Sequence, residues 1–236
     1  GRVLNCSMEL GGNAPFVVFA DADLEAAVDG AMVAKMRNAG ESCIAANRFY
    51  AEAPVAAKFS ELLAERMAAL RVGPGIDPSS QVGPMVNEGA RDGIAELVTA
   101  AVDAGAKVET GADVPQRPGW FYTPTVLSDV APDSAILAEE VFGPVAPVVT
   151  FESEDEVIAA ANDTEYGLAA YVYTTDLARG LRVAEAIETG MVGLNRGFIS
   201  DPAAPFGGVK QSGLGREGGA AGLLEYLEPT YIATQW

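Results

Sequence analysis

The apolar positions along the chain change period repeatedly, and each change marks a predicted element. Residues 16–19, Phe-Val-Val-Phe, form the short continuous apolar run of a buried strand. Asp21 or Asp23 then stands where a helix needs an N-cap, and Leu24, Val28, Met32 and Met36 follow at helical spacing. That helix is expected to stop near Gly40. A strand over 48–51 leads into an amphipathic helix over 55–70 with Lys58, Glu61, Glu65 and Arg66 outward. The Gly- and Pro-rich residues 73–80 read as surface loop. A helical pattern occupies 87–104, a brief strand 107–110 and a turn-rich connection 111–122. Strands over 125–127, 146–151, 168–173 and 191–194 then alternate with helices capped by Ser153 and Asp176, the first running to Asn162 and the second to about Glu188. A glycine-rich stretch over 206–219 leads into a last helix over 220–226, ended by Pro229, and residues 230–236 read as an extended tail.

Helices alternating with short apolar strands specify an α/β fold, an open and mostly parallel sheet with helices on both faces, followed by an extended C-terminal arm. There is no internal repeat and no low-complexity segment.

Composition narrows the chemistry. With 49% hydrophobic residues, the 236-residue chain can fill a sizeable core. No run approaches the roughly 20 apolar residues of a membrane helix, so no membrane partner is expected, and a cytoplasmic setting is the default. The net charge of −18 repels a polyanion, which argues against nucleic acid. Two cysteines, Cys6 and Cys43, cannot build a disulfide framework. The absence of histidine removes the commonest metal ligand and general base, which excludes Cys-His and Ser-His-Asp hydrolases. No metal site is expected.

Three glycine-punctuated segments carry the chemistry. Cys43 lies in Asn38-Ala-Gly-Glu-Ser-Cys43-Ile-Ala-Ala-Asn-Arg48, just past the glycine that ends a helical pattern. Glu9 lies in Met8-Glu9-Leu-Gly-Gly-Asn13-Ala-Pro15-Phe16, and Glu140 in Glu139-Glu140-Val-Phe142-Gly143-Pro144. A thiol that adds to a carbonyl, a carboxylate that acts as base and a second acidic group form a coherent set. In order and spacing these segments resemble the aldehyde dehydrogenase superfamily.

The resemblance implies an NAD- or NADP-dependent oxidation of a small-molecule aldehyde. Cys43 matches the nucleophile, with its backbone N–H facing the oxyanion, and Glu9 matches the general base. Glu140 and Phe142 match the clamp on the nicotinamide ribose and ring. Glu217, in Gly-Arg-Glu-Gly, matches a proton relay. The segment Lys35-Met-Arg37-Asn-Ala-Gly, together with Ser200 and Pro-Phe206-Gly-Gly-Val-Lys-Gln-Ser-Gly-Leu-Gly-Arg-Glu-Gly, is similar to succinate-semialdehyde dehydrogenases. There Arg37 and Ser200 would hold the substrate carboxylate and Phe206 would line the aldehyde tunnel. Glutarate semialdehyde would be discriminated by only about 1–3 kcal/mol. Ala45 stands where some members carry a second redox-active cysteine, so no such switch is expected.

The resemblance also implies an incomplete polypeptide, because the family's dinucleotide-binding half precedes the Glu-Leu-Gly-Gly segment. Residues 1–11 are then a remnant of that domain, 12–211 the catalytic domain, 212–226 a C-terminal helix and 227–236 a strand for oligomerisation. The chain alone is expected to be inactive as a dehydrogenase and to self-associate into homo-oligomers. Two other readings stay open: a non-catalytic assembly module and a cofactor-independent thiol esterase.

Overall fold

The computed structural model describes residues 1–236. In chain order the elements are β1 (Met8–Glu9), β2 (Ala14–Val18), α1 (Leu24–Met36), β3 (Ala46–Glu52), α2 (Ala53–Ala68), α3 (Glu88–Asp103), β4 (Lys107–Thr110), β5 (Thr125–Ser128) and α4 (Ala135–Ala138). They continue with β6 (Val145–Phe151), α5 (Glu154–Asn162), β7 (Tyr166–Gly167), β8 (Ala169–Tyr173), α6 (Leu177–Ala186), β9 (Met191–Leu194), β10 (Val209–Lys210), β11 (Gly213–Leu214) and α7 (Gly219–Leu224).

A seven-stranded sheet runs in the order β4-β5-β6-β3-β2-β8-β9, antiparallel only between β4 and β5. Its alternating side chains divide the core. Phe16 and Val18 of β2 join α1 and α2 in one apolar layer, and Val17 and Phe19 join α3, α5 and α6 in the other. Helices therefore cover both faces, as the alternation predicts. Phe16 is fully buried, 5.3 Å from the Phe49 ring and 5.0 Å from the Tyr173 ring.

The helix starts follow local chemistry. The Asp23 side chain accepts from the Ala26 N–H, Asn87 from Ala90, Ser153 from Glu156 and Asp176 from Ala178 and Arg179. Asp21, the other capping candidate, instead accepts from Thr174, Thr175 and Asp176 and pairs with Arg179, tying the end of β2 to the end of β8.

Two expectations need correction. The helix assigned to 212–226 is confined to Gly219–Leu224, since Gly213, Gly215 and Gly218 take positive φ values of 123°, 81° and 68°, outside the right-handed helical region. Residues Gly213–Leu214 pair with Met8–Glu9 instead. Residues 227–236 are exposed and pair with no strand of their own chain, and the strand expected there is one that would pair with a second copy. Helix α1 ends at Met36 rather than at Gly40, since Ala39 and Gly40 turn the chain at φ 52° and 79°. No helix is long and apolar enough to cross a membrane.

Candidate active site

Topology brings the three glycine-punctuated segments together. They enter β2, β3 and β6, neighbours in the parallel sheet, at its amino-terminal edge. Glycine lets them touch. A Cβ on Gly12 would lie 2.3 Å from the Cys43 carbonyl oxygen, and one on Gly40 would lie 2.0 Å from that of Gly143. The Cys43 loop is further pinned by the buried Tyr171, whose hydroxyl donates to the Ile44 carbonyl at 2.7 Å.

Cys43 is half-buried, and its Sγ lies 3.6 Å from Oε2 of Glu9. Burial, then the charge of Glu9 and the hydrogen bond to it, push the thiol up to about 11. Burial also raises Glu9 above the usual carboxylate range. The thiol's donation opposes that rise, and the charges of Glu217 and Glu140 add to it. The second oxygen of Glu9, Oε1, is buried without a hydrogen-bond partner. The base-bearing segment is held by Ser212, which donates to the Gly11 carbonyl at 2.7 Å and accepts the Leu10 N–H through its own carbonyl at 3.1 Å.

Glu140 accepts the Gly12 N–H on Oε1 at 2.9 Å. Burial raises its carboxyl, and the Gly12 N–H and the Lys35 charge draw it back. Phe142 follows in the left-handed region at φ 48°, with its ring 42% exposed. Both border an open groove of about 430 Å³ against Gly89, Gly93 and Leu97 of α3. A free carboxylate oxygen beside a presented aromatic face fits the ribose and ring at one end of a nicotinamide dinucleotide. No cation lines the groove to take its phosphates.

The remaining candidates fall into two groups. Glu217 is exposed, its backbone paired both ways with Phe206, and its charge reaches Glu9. Phe206 packs partly buried against the same core layer as Cys43. Arg37, at the end of α1, is exposed and sits 4.8 Å over the ring of Phe198. It meets the loop that carries Ser200 through that ring and not through a hydrogen bond to Ser200. Cys6 is exposed and remote in role. No group of three or more His, Cys, Asp or Glu side chains is arranged to hold a metal ion.

Sequence reasoning missed a buried polar network beneath the site. Lys35, 1% exposed, donates to Oδ1 of Asn47, which donates in turn to Asn13 and to the Glu139 carbonyl. Polar residues at strand entrances are ordinary in sequence, and their burial emerges only when three segments converge.

Comparison with known proteins bears on the family and the fold. The model of the aldehyde dehydrogenase family matches residues 1–232. A succinate-semialdehyde dehydrogenase of Paenarthrobacter nicotinovorans is 63% identical over 98% of this chain and 51% of its own length. A probable NADP(+) succinate-semialdehyde dehydrogenase of Sinorhizobium fredii is 51% identical over 98% of this chain and 47% of its own. The crystal structure of an aldehyde dehydrogenase from Brucella melitensis biovar abortus superposes with a TM-score of 0.93 at 54% identity, covering 97% of this chain and 47% of that one. The chain thus spans about half the length of the relatives it matches. By family model, sequence identity and fold, it belongs to the aldehyde dehydrogenase family, oxidoreductases that act on aldehydes with NAD or NADP.

Proposed function

We propose that this chain is the catalytic portion of a semialdehyde dehydrogenase that oxidises succinate semialdehyde to succinate. The observation that supports this reading most is the contact between Cys43 Sγ and Glu9 Oε2 at 3.6 Å. The thiol is a poor nucleophile as it stands, because a thiol held near 11 is almost wholly protonated at neutral pH. Glu9, lifted by burial, is the base that accepts its proton as Sγ adds to the carbonyl carbon. The carbonyl oxygen becomes an alkoxide facing the Cys43 backbone N–H, and a thiohemiacetal forms on the protein.

A bound nicotinamide would supply the acceptor for the hydride lost from this carbon. Glu140 would hold the ribose and Phe142 would back the ring. The product of that loss is a thioester on Sγ. Once its proton has passed to solvent, Glu9 takes one from a water molecule, which attacks the thioester carbon and expels the thiolate. The partnerless Oε1 of Glu9 suits a water at that position. Glu217, exposed and coupled to Glu9 by charge, would carry the proton outward.

Arg37 and Ser200 would receive the carboxylate end of the substrate, and Phe206 its methylene chain. The arginine is available for this because its recorded contact is a stacked ring rather than an acid. Residues 12–211 would form the catalytic domain and 1–11 the end of a cofactor-binding domain. Residues 227–236, exposed with Tyr231, Ile232 and Trp236, would pair with a second copy to give a homo-oligomer, in the cytoplasm.

The test is complementation. The chain is mixed with a separately expressed cofactor-binding half, and NAD(P)H formation from succinate semialdehyde is followed. The reading requires turnover with both halves, none with either alone, and loss in Cys43→Ala. Turnover that persists without Cys43 would overturn it.

A further inference from the structure

Lys35 is the one buried cation facing the acidic site, and the mechanism above gives it no task. It lies in the last turn of α1, 1% exposed, with Nζ 3.3 Å from Oδ1 of Asn47. Burial pulls the Lys35 ammonium down to about 7 and the charge of Glu140 opposes that fall; the charged amine only donates, so the Asn47 oxygen faces it. With Oδ1 committed to Lys35, the Asn47 amide nitrogen donates to Oδ1 of Asn13 and to the Glu139 carbonyl, each at 2.8 Å. The Asn13 amide is then fixed in turn, with its nitrogen donating to the Leu137 carbonyl at 2.8 Å. The relay thus runs one way, from the Lys35 donor at its head to the acceptor-only carbonyls of Leu137 and Glu139 just before Glu140. The same lysine supplies the positive charge that draws the Glu140 carboxyl down against burial.

We infer that Lys35 is a positioning residue for Glu140, holding the Glu139–Glu140 corner against Gly11 and Gly12 through the Asn47–Asn13 relay and supplying its counter-charge. The inference deepens the proposed function, since the corner matters to catalysis only if Glu140 grips a cofactor. A lysine in this place needs a reason. Burying an ammonium is costly unless it is paired, and a methionine would fill the same volume without that cost. The site itself supplies the reason. Burial raises the half-buried Glu140 carboxyl, and the Lys35 charge acts against that rise alongside the Gly12 N–H.

The experiment measures the two charges on each other in the 236-residue chain. The side-chain carboxyl carbon of Glu140 is titrated by NMR, assigned through Glu140→Gln, in the wild type, in Lys35→Met and in Lys35→Gln. Lys35→Met is expected to raise the Glu140 midpoint by about one pH unit or more and to shift the amide signals from Glu139 to Phe142. Lys35→Gln retains a donor for Asn47, so it is expected to raise the midpoint equally while leaving those amide signals near their wild-type positions. Because coupling is reciprocal, Glu140→Gln must lower the Lys35 midpoint by the same amount. That last measurement leaves the lysine intact and decides the matter even if neither Lys35 variant folds. A Glu140 midpoint unmoved in folded Lys35→Met, or a Lys35 midpoint unmoved in Glu140→Gln, overturns the inference. Failure of the proposed function looks different: the two midpoints would remain coupled while complementation gave no NAD(P)H.

Discussion

Cys43 Sγ donates to Glu9 Oε2 across 3.6 Å, so the proposed nucleophile and the proposed base share a proton before any substrate arrives. The pairing has an unexpected sign. A carboxylate beside a thiol disfavours the thiolate, and here it helps push the thiol up to about 11. Glu9 thus restrains the sulfur at rest, and in the proposed mechanism it assists only by taking the sulfur's proton.

The restraint is measurable. In a Cys6→Ser background, which removes the exposed second thiol, Glu9→Gln should lower the pH midpoint for Cys43 alkylation by iodoacetamide by about one unit. The variant would then react faster than wild type at pH 8. A midpoint that stays or rises would mean that the carboxylate does not face the sulfur.

Gly12→Ala tests how the segments touch. The added methyl would lie 2.3 Å from the Cys43 carbonyl oxygen, so one of the two loops must move. Destabilisation of about 1–3 kcal/mol is expected by urea denaturation, together with loss of the Glu9 effect on Cys43 alkylation. An unchanged alkylation profile would show that the close approach is not needed for the pair.

Arg37→Met should act on one class of substrate. In the complemented assay, kcat/KM for succinate semialdehyde should fall by about 10–150-fold, the worth of a charge-assisted hydrogen bond of about 1.5–3 kcal/mol. Butanal, of equal chain length and no charge, should change by less than about threefold. Equal losses for both would place Arg37 outside substrate recognition.

How far the sequence is legible differs between the fold and the site. The strand run at 16–19, the helical spacing of Leu24 to Met36 and the caps Ser153 and Asp176 are local signals, and each gives its element within a few residues. Cys43, Glu9 and Glu140 stand out only through the resemblance that their three segments carry together, since each one alone reads as an ordinary loop or core residue. The two-residue strands are not legible, since Met8–Glu9 pairs with Gly213–Leu214 only after the whole sheet has formed between them. The final glycine-rich stretch misleads for a related reason, because positive φ at Gly213, Gly215 and Gly218 is invisible to a helical count. Lys35, Asn13 and Asn47 escape notice because nothing local distinguishes a buried polar side chain from a solvated one.

Asp21 gives the fold a defined acid limit. Burial raises its carboxyl, but hydrogen bonds from Thr175, Thr174 and the Asp176 N–H, with the Arg179 charge, outweigh burial and hold it below the usual range. A depressed carboxylate contributes stability that is present above its unfolded-state value near 3.8 and lost as pH falls through its folded value. Urea midpoints should therefore drop as pH falls below about 4, and Asp21→Asn should start lower at pH 7 and drop less. Parallel curves for the two proteins would contradict this.

The most direct measurement of the central claim uses no cofactor. The chain is given 4-nitrophenyl acetate, nitrophenolate release is timed, and the acyl group is located by mass spectrometry. The account predicts acetylation of Cys43 with slow turnover in wild type, a persistent acetyl-Cys43 in Glu9→Gln because no base readies water, and no acylation at that position in Cys43→Ala. Acetyl-Cys43 hydrolysed as fast in Glu9→Gln as in wild type, or an acyl group found on another residue, would contradict it.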